Sequence, residues 1–229
     1  MTDIAPTSRA AQDALVRTAC RALARHDLVH AYGHCSLRLD DRHFLVSPGM
    51  PLGLVRDDDP CIVVPLDGPL PDGVLGEVRI HREIYRRRPD VGGVVRAMPK
   101  QAMALGTLRR TPLPRHGLGA YFAPQPPLWD DPQLLRSDEQ AAALANTLGA
   151  ARAILMRGNG TVTAGASLQE AVVLTYYLED ACRVELACLA SGLADEGAVL
   201  SSDEATARAT WNGRILERMW DYLTQPAVA

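Results

Sequence analysis

The chain has 229 residues, 47% of them hydrophobic and 22% charged, with a net charge of −3. That length suits one substantial domain spanning residues 1–229 and is too short for two ordinary large ones, while the slightly acidic balance argues against a nucleic-acid surface. The five cysteines, Cys20, Cys35, Cys61, Cys182 and Cys188, are odd in number and lack CxxC spacing, which predicts buried free thiols rather than a disulfide framework. No charged-then-apolar leader opens the chain and no apolar run approaches the ~20 residues that cross a bilayer, so the expectation is a cytoplasmic protein with no membrane partner.

Thr7 and Ser8 offer a helix cap, and Ala11, Leu15, Ala19 and Leu23 give an apolar stripe through about residue 26. His26 and His30 are four apart; without a third ligand nearby they read as exposed histidines at a helix end. Gly33 to Arg38 (GHCSLR) opens a strand, His43 to Ser47 is its hairpin partner across Asp40-Asp41, and Cys61 to Pro65 is a buried-strand candidate. Ser36 and Ser47 suit turns, where they satisfy backbone groups.

Glu77, Ile80, His81 and Ile84 fall at helical spacing, so one face carries two apolar and two titratable residues. Pro89 pushes Arg88 out of the helical region and ends that helix. Val94-Val95 is a short strand, after which Arg96 and Met98 point to one side, two residues apart. Residues 101 to 108 read as a short helix, and the proline-rich stretch Thr111 to Pro132 has the length of a lid or an interface. Asp138 to Leu148 is a helix capped by Ser137, and Ala153 to Met156 a buried strand running into Arg157-Gly158-Asn159-Gly160. Ser167 with Glu170 forms a capping box for a helix to about Ala190, and Asp203 to Leu223 is a final amphipathic helix carrying Tyr222.

Three stretches together resemble the class II aldolase/adducin family: GHCSLR with SPGMPLG, the segment Gly76 to Lys100, and LMRGNGTVTAGASLQEA. The matches span about residues 8 to 190. The resemblance implies an α/β fold, a central, mostly antiparallel sheet with helices on both faces, and a homo-oligomer, most often a tetramer. In that family a His-x-His-Pro after the strand and a histidine in the RGHG turn hold a divalent ion such as zinc or manganese, and a glutamate acts as acid or base. Here those three ligand positions are Arg96, Met98 and Asn159, and the glutamate is Glu77. The sugar-phosphate branch has an asparagine where His34 stands and two serines where Leu75-Gly76 stand, so the phosphate cradle is absent as well.

Thioether sulfur and amide oxygen are poor partners for zinc or manganese, and a guanidinium repels a cation, so no metal is expected at the usual site. Arg96 puts a permanent cation with a rigid fork of donors there instead, suited to a carboxylate or a developing enolate. The expected activity is a carbon–carbon lyase, by decarboxylation or retro-aldol cleavage, on a small, unphosphorylated, carboxylated substrate. Its expected catalytic residues are Glu77, Arg96, Asn159 and His81, with His81 tuning Glu77; its expected substrate-binding residues are His34, Ser36, Arg38, Ser47, Lys100 and Arg157. Lys100 as a Schiff-base nucleophile is a sharper variant. Two alternatives stand beside it. Arg96 paired with Glu77 fills the vacated hole in an inactive binding or interaction module, or a metal persists through relocated ligands such as His34, His81 and His116.

Overall fold

The computed structural model describes residues 8–225. Its helices are α1 (Arg9–Arg25), α2 (Arg79–Arg87), α3 (Lys100–Thr107), α4 (Asp138–Leu148), α5 (Leu168–Ser191), α6 (Ser202–Arg208) and α7 (Ile215–Thr224). Its strands are β1 (His34–Arg38), β2 (His43–Val46), β3 (Ile62–Pro65), β4 (Gly93–Ala97), β5 (Leu128–Trp129), β6 (Ala153–Met156) and β7 (Gly160–Gly165). They form one seven-stranded sheet in the order β3-β2-β1-β4-β7-β6-β5. Every pair is antiparallel except β5 with β6.

Two apolar layers sandwich this sheet. Cys35, Leu37, Val95, Ala97 and Leu155 face one way, onto α1 and the long α5. Val94, Ile154, Met156 and Val162 face the other, onto Ile80 and Ile84 of α2 and Leu144 of α4. Alternation along a strand sends neighbours to opposite faces. In β1 that rule puts His34, Ser36 and Arg38 on the α2 side and Cys35 and Leu37 on the α5 side. In β4 it puts Arg96 on the α2 side, directly opposite His34 in the pairing register.

Some elements differ from the sequence reading. The buried stripe of α1 is Val16, Ala19, Cys20 and Leu23, while Ala11 is exposed; Ser8 supplies the cap, and Thr7 lies outside the described residues. The helix expected over Asp203 to Leu223 is two helices. Trp211 packs on Tyr121 with ring centroids 4.4 Å apart, Tyr121 donates to the Thr210 carbonyl, and Arg214 (φ 60°) takes a left-handed backbone that breaks the helix there. Ser167 accepts from the Glu170 N–H as expected, but the Glu170 carboxylate reaches Ala166 N and Arg152 instead of closing the box. His26 is half-buried rather than exposed, its Nε2 3.2 Å from the Leu223 carbonyl. The Thr111–Pro132 stretch packs onto its own domain, with Tyr121 and Phe122 in the core, instead of standing away as a lid. Among the described residues no helix is long and apolar enough to cross a membrane.

Candidate active site

The site is built by laying one helix across the sheet. A 3-10 turn, Gly76–Val78, leads into α2, and Glu77, His81 and Tyr85 recur every fourth residue on the face toward the strands. Each meets a different part of the sheet. Glu77 meets Arg96 of β4 and Asn159 of the β6–β7 turn. His81 meets His34 and Ser36 of β1. Tyr85 meets Ser36, Arg38 and, on β2, Phe44.

At the first contact, Arg96 Nη2 donates to Asn159 Oδ1 at 2.6 Å and Asn159 Nδ2 donates to Glu77 Oε1 at 3.3 Å. Arg96 Nε lies 3.1 Å from Glu77 Oε2, an ion-pair distance, yet its N–H is not aimed at an acceptor and stays buried without a hydrogen bond. The pair is therefore electrostatic rather than the bidentate fork that makes arginine–carboxylate bonds strong. Arg96 is 2% and Asn159 6% exposed; the Glu77 side chain keeps 17%. Burial lowers the Arg96 pKa, and Glu77 opposes that shift. Gly160 positions Asn159: at φ 88° a side chain there would fall on the Ala97 carbonyl and come within 3.0 Å of Met98 Cα, so only glycine lets the turn close onto β4.

At the second contact a buried chain of polar groups runs His34 Nδ1···Nε2 His81 at 2.8 Å, His81 Nδ1···Oγ Ser36 at 2.6 Å, and Ser36 Oγ···Oη Tyr85 at 2.9 Å. Burial, with the Arg96 charge added, holds His81 down to about 3. Burial, the His81 ring and Arg96 push His34 well below the usual imidazole range. Both rings are neutral at physiological pH. Both nitrogens of His81 are engaged, by His34 and by Ser36, and neither is bonded to Glu77.

The other expected site residues are elsewhere. Arg38 donates to the main-chain oxygens of Tyr85, Arg88 and Val91, closing the C-terminal end of α2. Ser47 Oγ accepts from the Cys35 N–H. Lys100 is on the surface, 69% exposed and 3.1 Å from Asp27, which removes the setting a Schiff-base lysine needs. Arg157 pairs with Asp130. Tyr222 packs near His26, with ring centroids 5.4 Å apart. Tyr85 was missed by the sequence reading, although its spacing from His81 equals that of His81 from Glu77. Two clefts are lined by other residues: one of about 540 Å³ by Arg109, Arg110, Gln125 and Glu185, and one of about 350 Å³ by Tyr121, Pro124 and Arg152.

A divalent ion does not fit the donor set around Arg96. The guanidinium brings its own charge, Asn159 spends its amide on Arg96 and Glu77, and a thioether such as Met98 favours soft metals. His34 and His81 touch, but His116 sits 3.7 Å from Asp180 on α5. Among the described residues no group of three or more His, Cys, Asp or Glu side chains converges to hold a metal.

Residues 14–186 match the family model described as the class II aldolase and adducin N-terminal domain. A 3,4-dihydroxyphthalate decarboxylase of Arthrobacter keyseri is 29% identical over 208 residues, covering 82% of this chain and 82% of that protein. The crystal structure of L-fuculose-1-phosphate aldolase from Thermus thermophilus superposes with a TM-score of 0.69 at 28% identity, covering 78% of this chain and 95% of that one. An aldolase II superfamily protein of Pseudomonas syringae superposes with a TM-score of 0.78 at 22% identity, covering 96% of this chain and 92% of that one.

Proposed function

The chain belongs to the class II aldolase and adducin family, and from that premise we propose that it is a decarboxylating carbon–carbon lyase for a small, unphosphorylated, carboxylated substrate, working without a divalent ion at the family's usual site. The observation that carries this reading is the Arg96 Nε–H, buried beside Glu77 and hydrogen-bonded to nothing. A buried, unsatisfied donor on a cation is costly unless a ligand completes it. Similarity to a 3,4-dihydroxyphthalate decarboxylase supports the same class of reaction.

In this mechanism Arg96 binds an oxyanion that remains on the substrate. The carboxyl group that departs leaves as carbon dioxide, its bonding electrons stay on the carbon, and Arg96 stabilises the negative charge as it spreads toward the bound oxygen. Glu77, next to Arg96, takes a proton from water and passes it to the carbon, leaving hydroxide to be neutralised by solvent. Asn159 holds Arg96 in place through Oδ1 and Glu77 through Nδ2. A homotetramer is part of the same proposal, from family resemblance.

The second reading is a binding module without turnover. It is favoured by the way Arg96, Glu77 and Asn159 spend their polar groups on one another, while two clefts of about 540 and 350 Å³ are lined by other residues. Carbon dioxide release from 3,4-dihydroxyphthalate by chelator-washed protein, with the metal content measured on the same sample, decides among the readings. Turnover at negligible metal supports the proposal. Turnover only with stoichiometric zinc, manganese or iron overturns its metal-free part, and folded protein that releases no carbon dioxide from this or related aromatic acids supports the binding module.

A further inference from the structure

Resting on that reading, we propose that His34 Nε2 is a fixed hydrogen-bond acceptor that selects substrates carrying a hydroxyl next to the carboxylate held by Arg96, and that Tyr85 fixes its polarity from the far end of the buried chain.

The polarity follows from counting protons. Tyr85 Oη donates to the main-chain oxygen of Ser36 at 3.0 Å, so toward Ser36 Oγ, 2.9 Å away, the phenol oxygen has only lone pairs to offer. The serine hydroxyl therefore donates to Tyr85. Its oxygen accepts from His81 Nδ1–H, 2.6 Å away, and His81 Nε2 then accepts from His34 Nδ1–H, 2.8 Å away. One nitrogen remains: His34 Nε2, a bare lone pair, buried and without a partner. The reverse order turns the tyrosine's one proton from the Ser36 carbonyl to Oγ and puts an unpartnered N–H on the side chain beside the Arg96 cation. The repulsion between that N–H and the cation favours the first order.

Two orphaned buried nitrogens of opposite character thus belong to register partners on one face of the sheet: an acceptor on His34 and a donor on Arg96. Side chains directly opposite in an antiparallel pair stand ~5 Å apart at Cβ. A ligand that satisfies both needs an acceptor and a donor on adjacent atoms, which a hydroxy-carboxylate has and a plain carboxylate lacks. A site built to pair a hydroxyl rejects the analogue without one strongly, because its own polar group is left unmatched.

Two measurements test this. In 15N NMR of the wild-type protein, with the His34 signals identified by their loss in His34→Gln, Nδ1 should carry the proton and Nε2 none; a protonated Nε2 overturns the inference without touching the lyase reading. In titration calorimetry, 2-hydroxybenzoate should bind at least ~10-fold more tightly than benzoate, and Tyr85→Phe, which removes the last donor, should shrink that ratio toward one while benzoate binding persists. Equal binding of the two probes by wild type, or an unchanged ratio in folded Tyr85→Phe, overturns the hydroxyl assignment alone. Failure of both probes to bind overturns the carboxylate site on Arg96, and this inference with it.

Discussion

His81 Nε2 lies 2.8 Å from His34 Nδ1 in a layer where neither ring meets solvent. Burial lowers the pKa of both imidazoles, that of His81 to about 3. Below an unfolded value of ~6.5 the unfolded chain takes up protons that the folded one refuses. The stability contributed by the neutral pair is therefore complete above that pH and falls as pH drops toward the folded values, by up to about 1.4 kcal/mol per pH unit for each histidine. Urea unfolding across roughly pH 7 to 5 measures the slope, and His81→Gln should remove one histidine's share of it. A flat profile in the wild type would show that the pair is not held neutral.

Arg96→Met separates a catalyst from a plug. Glu77 keeps the Asn159 and Leu135 N–H donors and some exposure, so the loss of stability should be about 1–3 kcal/mol. Carbon dioxide release should fall by ~100-fold or more, because the charge facing the developing anion is gone. Folded protein with undiminished turnover would remove Arg96 from the chemistry.

Glu77→Gln keeps the shape and an oxygen for Asn159, and stability should change by less than about 1 kcal/mol. The proton is what disappears. Turnover should drop by ~100-fold to 10,000-fold with KM little changed; an equal loss in KM alone would make Glu77 a binding group.

Gly160→Ala tests the closeness of the β6–β7 turn to β4. The left-handed φ of 88° and the collision with the Ala97 carbonyl should cost more than about 3 kcal/mol, read as a lowered midpoint in chemical unfolding.

Lys100→Ala should change stability by less than about 1 kcal/mol, since its pair with Asp27 is exposed on both sides. Borohydride with a carbonyl substrate should leave the intact mass of the wild type unchanged; a trapped adduct would return Lys100 to the chemistry.

The order of helices and strands was legible because the signals are local: the Ser137 cap, the proline after Arg88, and the apolar runs of β4 and β6 all lie within their own segments. The meeting of Glu77, Arg96 and Asn159 was legible too, but through family motifs rather than periodicity, since the partners are 63 and 82 residues apart. What stayed hidden depends on packing. Arg38 resembled a ligand for substrate, yet it donates to the carbonyls of Tyr85, Arg88 and Val91, at and just past the end of α2, and nothing within GHCSLR announces a helix end arriving from residues 85–91. The histidine chain was hidden for a related reason. Its direction is set by a single hydroxyl proton on Tyr85, and a sequence carries residue types but not donor order.

The alternation of β1 has a consequence for how the protein folds as well as for what it binds. Slide β1 past β4 by one residue and every side chain changes face. Cys35 and Leu37 would then press on α2, while two polar residues and an arginine would enter the apolar layer under α1 and α5. In its present alignment the same strand satisfies both layers. His34, Ser36 and Arg38 thus serve as an alignment key for the sheet: a misthreaded chain would forfeit its core along with its chemistry, so any molecule that folds to full stability has already assembled its site.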